Sequence, residues 1–134
     1  MPPGTPREIA IKWFESVWQS RSRDAVYQLM DPDAVAHLQG GDSTRGPVEF
    51  MDFHNQILTA FPNLSLRVLR VVGDDTQACV HWHVSTVPGS EATEENGTSF
   101  TGMSFLTVKD GKITEGWDCW DRSTFMAAVL RSGA

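Results

Sequence analysis

The sequence has no surplus of basic residues. Its 134 residues hold 11 Lys and Arg against 17 Asp and Glu, a formal charge of −6. Nucleic-acid binders normally carry a basic stripe for the phosphate backbone. Here the basic residues are scattered, so no nucleic-acid partner is expected. No apolar run approaches the roughly 20 residues of a membrane helix, so no membrane partner is expected either. No charged N-terminal region precedes an apolar one, so no secretory signal is read and a cytoplasmic chain is expected. There are only two cysteines, Cys79 and Cys119, outside any CxxC pair. Both are expected as reduced thiols. A glycine-rich phosphate loop, a GxSxG elbow and an HExxH pair are also missing, which disfavours nucleotide and protease chemistry.

Other features are well represented. Apolar residues make up 40% and charged residues 21%, which suits a packed core in one domain over 1–134, with its core at about 6–130. Five tryptophans favour a flat, apolar ligand over a small charged one.

The spacing of Ala10, Trp13, Phe14, Val17 and Trp18 predicts a helix over 6–20, capped by Thr5 with Pro6 in its first turn. A short helix over 23–29 should stop at Asp31-Pro32-Asp33. A short strand follows at 34–38, then a loop at 40–43. A third helix opens near Pro47 and runs to about Phe61. Its apolar stripe is Phe50, Phe53, Ile57, Leu58 and Phe61, with His54 inside it. Four strands come next, at 64–72, 77–87, 99–109 and 112–120. The polar segment 88–97 reads as an exposed loop, Asp110-Gly111 as a hairpin turn, and 123–130 as a terminal helical turn. Helices first and strands afterwards indicate an α+β domain. Its curved antiparallel sheet should pack on the three N-terminal helices and leave a concave apolar cavity.

Several stretches also carry a family likeness. They are Val35-Ala36-His37, Arg45-Gly46-Pro47-Val48-Glu49, Ala60-Phe61-Pro62-Asn63-Leu64 and Val71-Val72-Gly73-Asp74. The clearest runs from Asp110-Gly111-Lys112-Ile113-Thr114-Glu115 through Gly116-Trp117-Asp118-Cys119-Trp120-Asp121. Over most of residues 6–130 the chain resembles the SnoaL-like polyketide cyclase family, within the nuclear transport factor 2-like superfamily. The resemblance implies a cone-shaped α+β barrel, a pocket between helices and sheet, and a homodimer through the outer sheet face. It also implies a pocket aspartate acting as general acid/base in an intramolecular aldol closure, with no metal and no cofactor. Asp118 matches that aspartate. The family's histidine, fourteen residues earlier, is Ser104 here, which cannot titrate near pH 7.

The residues themselves point to the same place. Strand alternation sets Thr114, Gly116, Asp118 and Trp120 on one face, and Ile113, Glu115, Trp117 and Cys119 on the other. A carboxylate among aromatic side chains is desolvated, and its pKa should rise toward a value useful to a general acid or base. The plainer possibility is an aspartate that caps the terminal helix or pairs with Arg122, although Asp121 suits the cap better. A two-residue turn at Asp110-Gly111 would put Met103 opposite Asp118. A glycine bulge at Gly111 would instead bring Ser104 to the same face as Asp118.

His54 is either a satisfied core histidine or a ligand-facing one. His37 is either pocket-lining or solvated. Whichever approached Asp118 would complete an acid and base pair. His81 and His83 share a strand face but lack a third ligand, so no metal site is expected there. Trp13, Phe14, Phe50, Met103 and Trp120 join Ser104 as candidates for substrate binding.

Two functions fit. The first is a cofactor-independent acid/base enzyme, of isomerase or cyclase type, acting on a small hydrophobic polyketide- or terpenoid-like carbonyl compound. The second is a non-catalytic ligand-binding or dimerisation module, which would show a dry or narrow cavity.

Overall fold

The computed structural model describes residues 4–38, 42–86 and 98–120. Helix α1, Pro6–Trp13, opens on a capping box. Thr5 Oγ1 accepts the Glu8 amide at 3.2 Å, and Glu8 reaches back to Thr5. The helix expected over 6–20 changes character at Phe14. From Phe14 to Gln19 it widens into a π-helix, closed by the Ser20 amide on the Glu15 carbonyl at 2.9 Å. Such widened turns are often found at functional sites. This one carries Phe14 and Trp18 into the lining of a cavity. Helix α2, Arg23–Leu29, has the expected bounds and is capped by Ser22 Oγ on the Ala25 amide.

Six strands follow or interleave: β1 Met30–His37, β2 Ser43–Arg45, β3 Ser65–Gly73, β4 Gln77–Thr86, β5 Thr98–Lys109 and β6 Lys112–Trp120. Helix α3, Gly46–Ala60, lies between β2 and β3. The sheet order is β2-β1-β6-β5-β4-β3. The sheet does not close, and β2 and β3 are its edges. Every neighbouring pair is antiparallel except β1 and β6, which run parallel. The meander β3–β6 accounts for the antiparallel part. The parallel pair arises because β1 precedes α3 and docks beside the last strand. β1 also begins earlier than expected. Asp31-Pro32-Asp33 does turn the chain, with the Asp33 amide on Asp31 Oδ1 at 2.8 Å, but it does so as a bulge inside the strand. The short β2 was not expected.

The helices cover one face of this curved sheet, a cone-like α+β fold. Ile9, Ala10, Val17 and Val26 pack there against Val80, Trp82, Leu106 and Ile113. Burying a side chain of this size contributes roughly 1.5–3 kcal/mol. Among the described residues, no helix is long and apolar enough to cross a membrane. The expected loop at 88–97, the helical turn at 123–130, and Asp121 and Arg122 lie outside the described residues.

The β5–β6 hairpin decides which side chains meet. Asp110 and Gly111 both have positive φ, 53° and 77°, so the turn has two residues and sets Lys109 opposite Lys112. Val108 then pairs with Ile113, but Thr107 pairs with Glu115. Thr114 is the extra residue of a β-bulge. Beyond it, Ser104 rather than Met103 faces Asp118. The register is that expected of a glycine bulge at Gly111, but its cause lies three residues further on. The bulge also turns Ile113 inward, to 3% exposure, against the simple alternation.

Candidate active site

Asp118 sits on the inner face of β6, opposite Ser104 on β5. The two side chains are joined: Ser104 Oγ donates to Asp118 Oδ1 at 2.6 Å. That length is typical of a hydrogen bond to an ionised oxygen. Ser104 is in turn held from β4, where Trp82 Nε1 donates to Ser104 Oγ at 3.0 Å. Ser104 is 1% exposed, so no solvent competes for these bonds. Trp82 reaches Ser104 because the residue between them is glycine. A Cβ on Gly102 would lie 2.4 Å from Trp82 Cη2 and 2.5 Å from Cζ2.

Asp118 lines two hollows. The larger, about 70 Å³, is walled by Phe14, Trp18, Phe53, Leu64, Leu66, Trp82, Val84, Phe100 and Trp120. The smaller, about 40 Å³, is walled by Trp13, Phe14, Trp18, Met30, Phe50, Ile113 and Gly116, among others. Phe14, Trp18 and Asp118 border both. Among the described residues, Asp118 is the one titratable side chain in either lining. It keeps some accessible surface, yet lies deep enough for dehydration to dominate its ionisation. The cavity reconciles the two, because the accessible part is the part that lines it. Burial raises the carboxyl above its ordinary 3.8, and the Ser104 hydrogen bond only partly opposes this. Among the described residues, Oδ2 has no hydrogen-bond partner and remains available.

The SnoaL-like polyketide cyclase family matches residues 8–129. The chain belongs to this family. No curated protein matches it. Among solved structures, IdmH of Streptomyces antibioticus is 19% identical, with 95% of this chain and 99% of that one covered, at a TM-score of 0.82. A SnoaL-like polyketide cyclase of Agrobacterium tumefaciens is 16% identical over 92% and 97%, at a TM-score of 0.74. A Catenulispora acidiphila protein with a ketosteroid isomerase-like fold, solved with trimethylamine, is 15% identical over 95% of each chain, at a TM-score of 0.78. These likenesses are of fold.

In this SnoaL-like chain neither candidate histidine is brought to Asp118. His54 is the satisfied core histidine. It is 2% exposed and lies 4.8 Å from the Trp18 ring centre, and its Nε2 donates to the Val17 carbonyl at 2.8 Å. A carbonyl can only accept, so Nε2 carries the proton. Burial lowers the pKa of His54 below 6.5. The Val17 bond opposes the shift, while the charges of Arg21 and Arg23 add to it. The signal missing from the sequence was the π-helix, whose last turn presents that carbonyl.

His37 lies on the outer face. It pairs with Glu115 at 2.7 Å and stacks on Trp117 with ring centres 5.2 Å apart, both on the side of β6 away from Asp118. Met103 is exposed on that outer face, where it pairs with Cys119. Of the other expected pocket residues, Phe14 and Trp120 line the larger hollow with Ser104, and Trp13 and Phe50 line the smaller one. His81 and His83 point outward beside Arg70 and Arg67. No group of three or more possible metal ligands occurs among the described residues. Trp82 is the site residue that sequence reasoning missed. Its inward alternation with Val80 and Val84 was readable; its bond to Ser104 needed the register.

Proposed function

We propose that the protein is a cofactor-independent acid/base enzyme of isomerase or cyclase type, acting on a small, uncharged, hydrophobic carbonyl compound of polyketide or terpenoid character. The observation that carries this reading is Asp118 itself: a carboxyl with one oxygen held by Ser104, the other available, and an apolar cavity around it. As a base, Oδ2 takes a proton from the carbon next to the carbonyl. The C–H electron pair becomes the enolate double bond, and the carbonyl oxygen takes the charge. In isomerisation the same oxygen returns the proton to another carbon. In ring closure the enolate carbon attacks a second carbonyl, a C–C bond forms, and Oδ2 protonates the resulting alkoxide. A raised carboxyl pKa suits both halves of this cycle near neutrality. Among the described residues, the cavity walls hold no Lys or Arg, which favours a neutral substrate.

One observation favours a second reading, a non-catalytic dimerisation module of the same fold. A hollow of about 70 Å³ is small beside the roughly 300–1,000 Å³ of most ligand sites. The test is turnover of polyketide-like and terpenoid ketones by the wild type and by Asp118→Asn. The enzyme reading expects activity that the Asn variant loses. Full rate in the variant refutes it. No turnover, with no hydrophobic ligand retained in native mass spectrometry, would favour the module.

The outer sheet face is the surface for a second copy of the chain. Trp117, Phe105, Cys79 and Val72 form one cross-strand row from β6 to β3, with Met103 beside it. Val72, Met103, Phe105 and Trp117 are exposed. A second copy seated face to face on this row would take these exposed apolar side chains out of water.

A further inference from the structure

We propose that Trp82 is a positioning residue of the Asp118 site: its indole N–H commits the Ser104 hydroxyl to Oδ1, so that Oδ2 alone exchanges protons with substrate. This rests on the reading of Asp118 as the exchanging group. The direction of the chain of bonds follows from donor inventory. An indole nitrogen donates and cannot accept, so the 3.0 Å contact is Trp82 N–H to Ser104 Oγ. Ser104 has one hydrogen, and its 2.6 Å neighbour is Asp118 Oδ1. If the acid proton sat on Oδ1, Ser104 would accept from both sides and its own hydrogen would be buried without an acceptor. That arrangement is disfavoured, so the neutral acid carries its proton on Oδ2.

The relay is rigidly built. Trp82 is buried, and its rings pack on Phe14 at 6.5 Å and on Phe100 at 6.1 Å. Gly102 leaves room for the indole where a Cβ would not. Among the described residues, the surroundings add no competing charge. The residues facing Asp118 from α1, the π-helix, α3, β1, β3, β4 and β5 are aromatic or aliphatic apart from Ser104. His54, the buried titratable group on α3, is turned to the Val17 carbonyl. The consequence is chemical. A carboxylate free at both oxygens can shuttle a proton between them, whereas here removal and return both pass through Oδ2.

The test reads the relay without any substrate. In the full-length chain, the indole ¹⁵N–¹H resonance of Trp82 is followed through the titration of the Asp118 carboxyl carbon. The expected result is that the Trp82 resonance moves with the same midpoint as Asp118. The movement should be lost in Ser104→Ala and in Asp118→Asn, and retained in Ser104→Thr, which keeps the hydroxyl. Trp82→Phe should raise the Asp118 midpoint, because Ser104 is then free to accept from a protonated Oδ1. An indole resonance that stays flat through the Asp118 titration overturns the proposal, as does movement that survives in Asp118→Asn. Should Ser104→Ala fail to fold, Asp118→Asn supplies the same loss. Failure of the catalytic reading would show separately, as an Asp118→Asn variant with full turnover and an intact wild-type relay.

Discussion

Gly102→Ala is the substitution whose cost the structure specifies most closely. The new methyl would lie 2.4 Å and 2.5 Å from Trp82 Cη2 and Cζ2, and 2.7 Å from Trp120 Cβ. Contacts that short cannot persist, so one partner must move. Trp82 has little freedom, being 6% exposed and wedged between Phe14 and Phe100. Overpacking of this kind costs about 1–3 kcal/mol. For a chain of this length that corresponds to a melting temperature lower by roughly 3–15 °C. Thermal and urea unfolding read the loss. The two shortest contacts are with outer atoms of the indole, which phenylalanine lacks, while the contact with Trp120 Cβ stays. A double-mutant cycle with Trp82→Phe should therefore recover part of the penalty, a coupling of roughly 0.5–2 kcal/mol. A Gly102→Ala variant as stable as the wild type, or a penalty undiminished in the Trp82→Phe background, would refute the reasoning about this contact.

Other outcomes follow from the same geometry. Ser104→Ala leaves the Trp82 N–H buried without an acceptor, so it should destabilise by about 1–3 kcal/mol in urea unfolding and raise the Asp118 pKa further. Asp118→Asn should lower turnover roughly 10²–10⁴-fold without loss of stability at pH 7, because it keeps the oxygen that Ser104 needs and removes a buried charge. The folded state holds the Asp118 proton above the 3.8 at which the unfolded chain releases it. This group's contribution to stability therefore falls as pH rises through that window, and the Asn variant should lose that slope. His54 acts in the opposite sense. The folded state refuses a proton that the unfolded chain takes up below 6.5, so stability drops as pH falls below that value. His54→Leu should flatten the drop and cost about 1–3 kcal/mol at pH 7, when the Val17 carbonyl loses its donor. On the proposed face-to-face pairing, the wild type should run as a dimer and Trp117→Lys as a monomer in size-exclusion chromatography with light scattering, with the fold unchanged by circular dichroism; a wild type that runs as a monomer would refute the pairing.

The sequence made some of these features readable and hid others, for identifiable reasons. Helix α2 and strands β3–β6 could be read because their periodicity is bounded by strong turn residues such as Asp110-Gly111. The inward direction of Asp118 was readable from alternation along β6. The bulge at Thr114 was not, because a bulge is set by the partner strand, and it alone decides whether Met103 or Ser104 meets the carboxyl. The parallel β1–β6 pair was hidden because no local signal says where a short strand docks. His54 was recognisable as a polar ring in need of a partner. Its partner depends on a π-helical turn that apolar spacing cannot distinguish from an α-helical one. His37 could not be placed because a strand residue's face follows from register, and β1 carries a bulge of its own.

The most direct measurement is the titration of the Asp118 carboxyl carbon by ¹³C NMR in the wild-type chain, assigned by its loss in Asp118→Asn. A carboxyl dehydrated at the edge of a greasy cavity should protonate with a midpoint above 3.8, the ordinary aspartate value. A midpoint at or below that value would mean the group is well hydrated or paired with a cation, and the acid/base role assigned to it would fall.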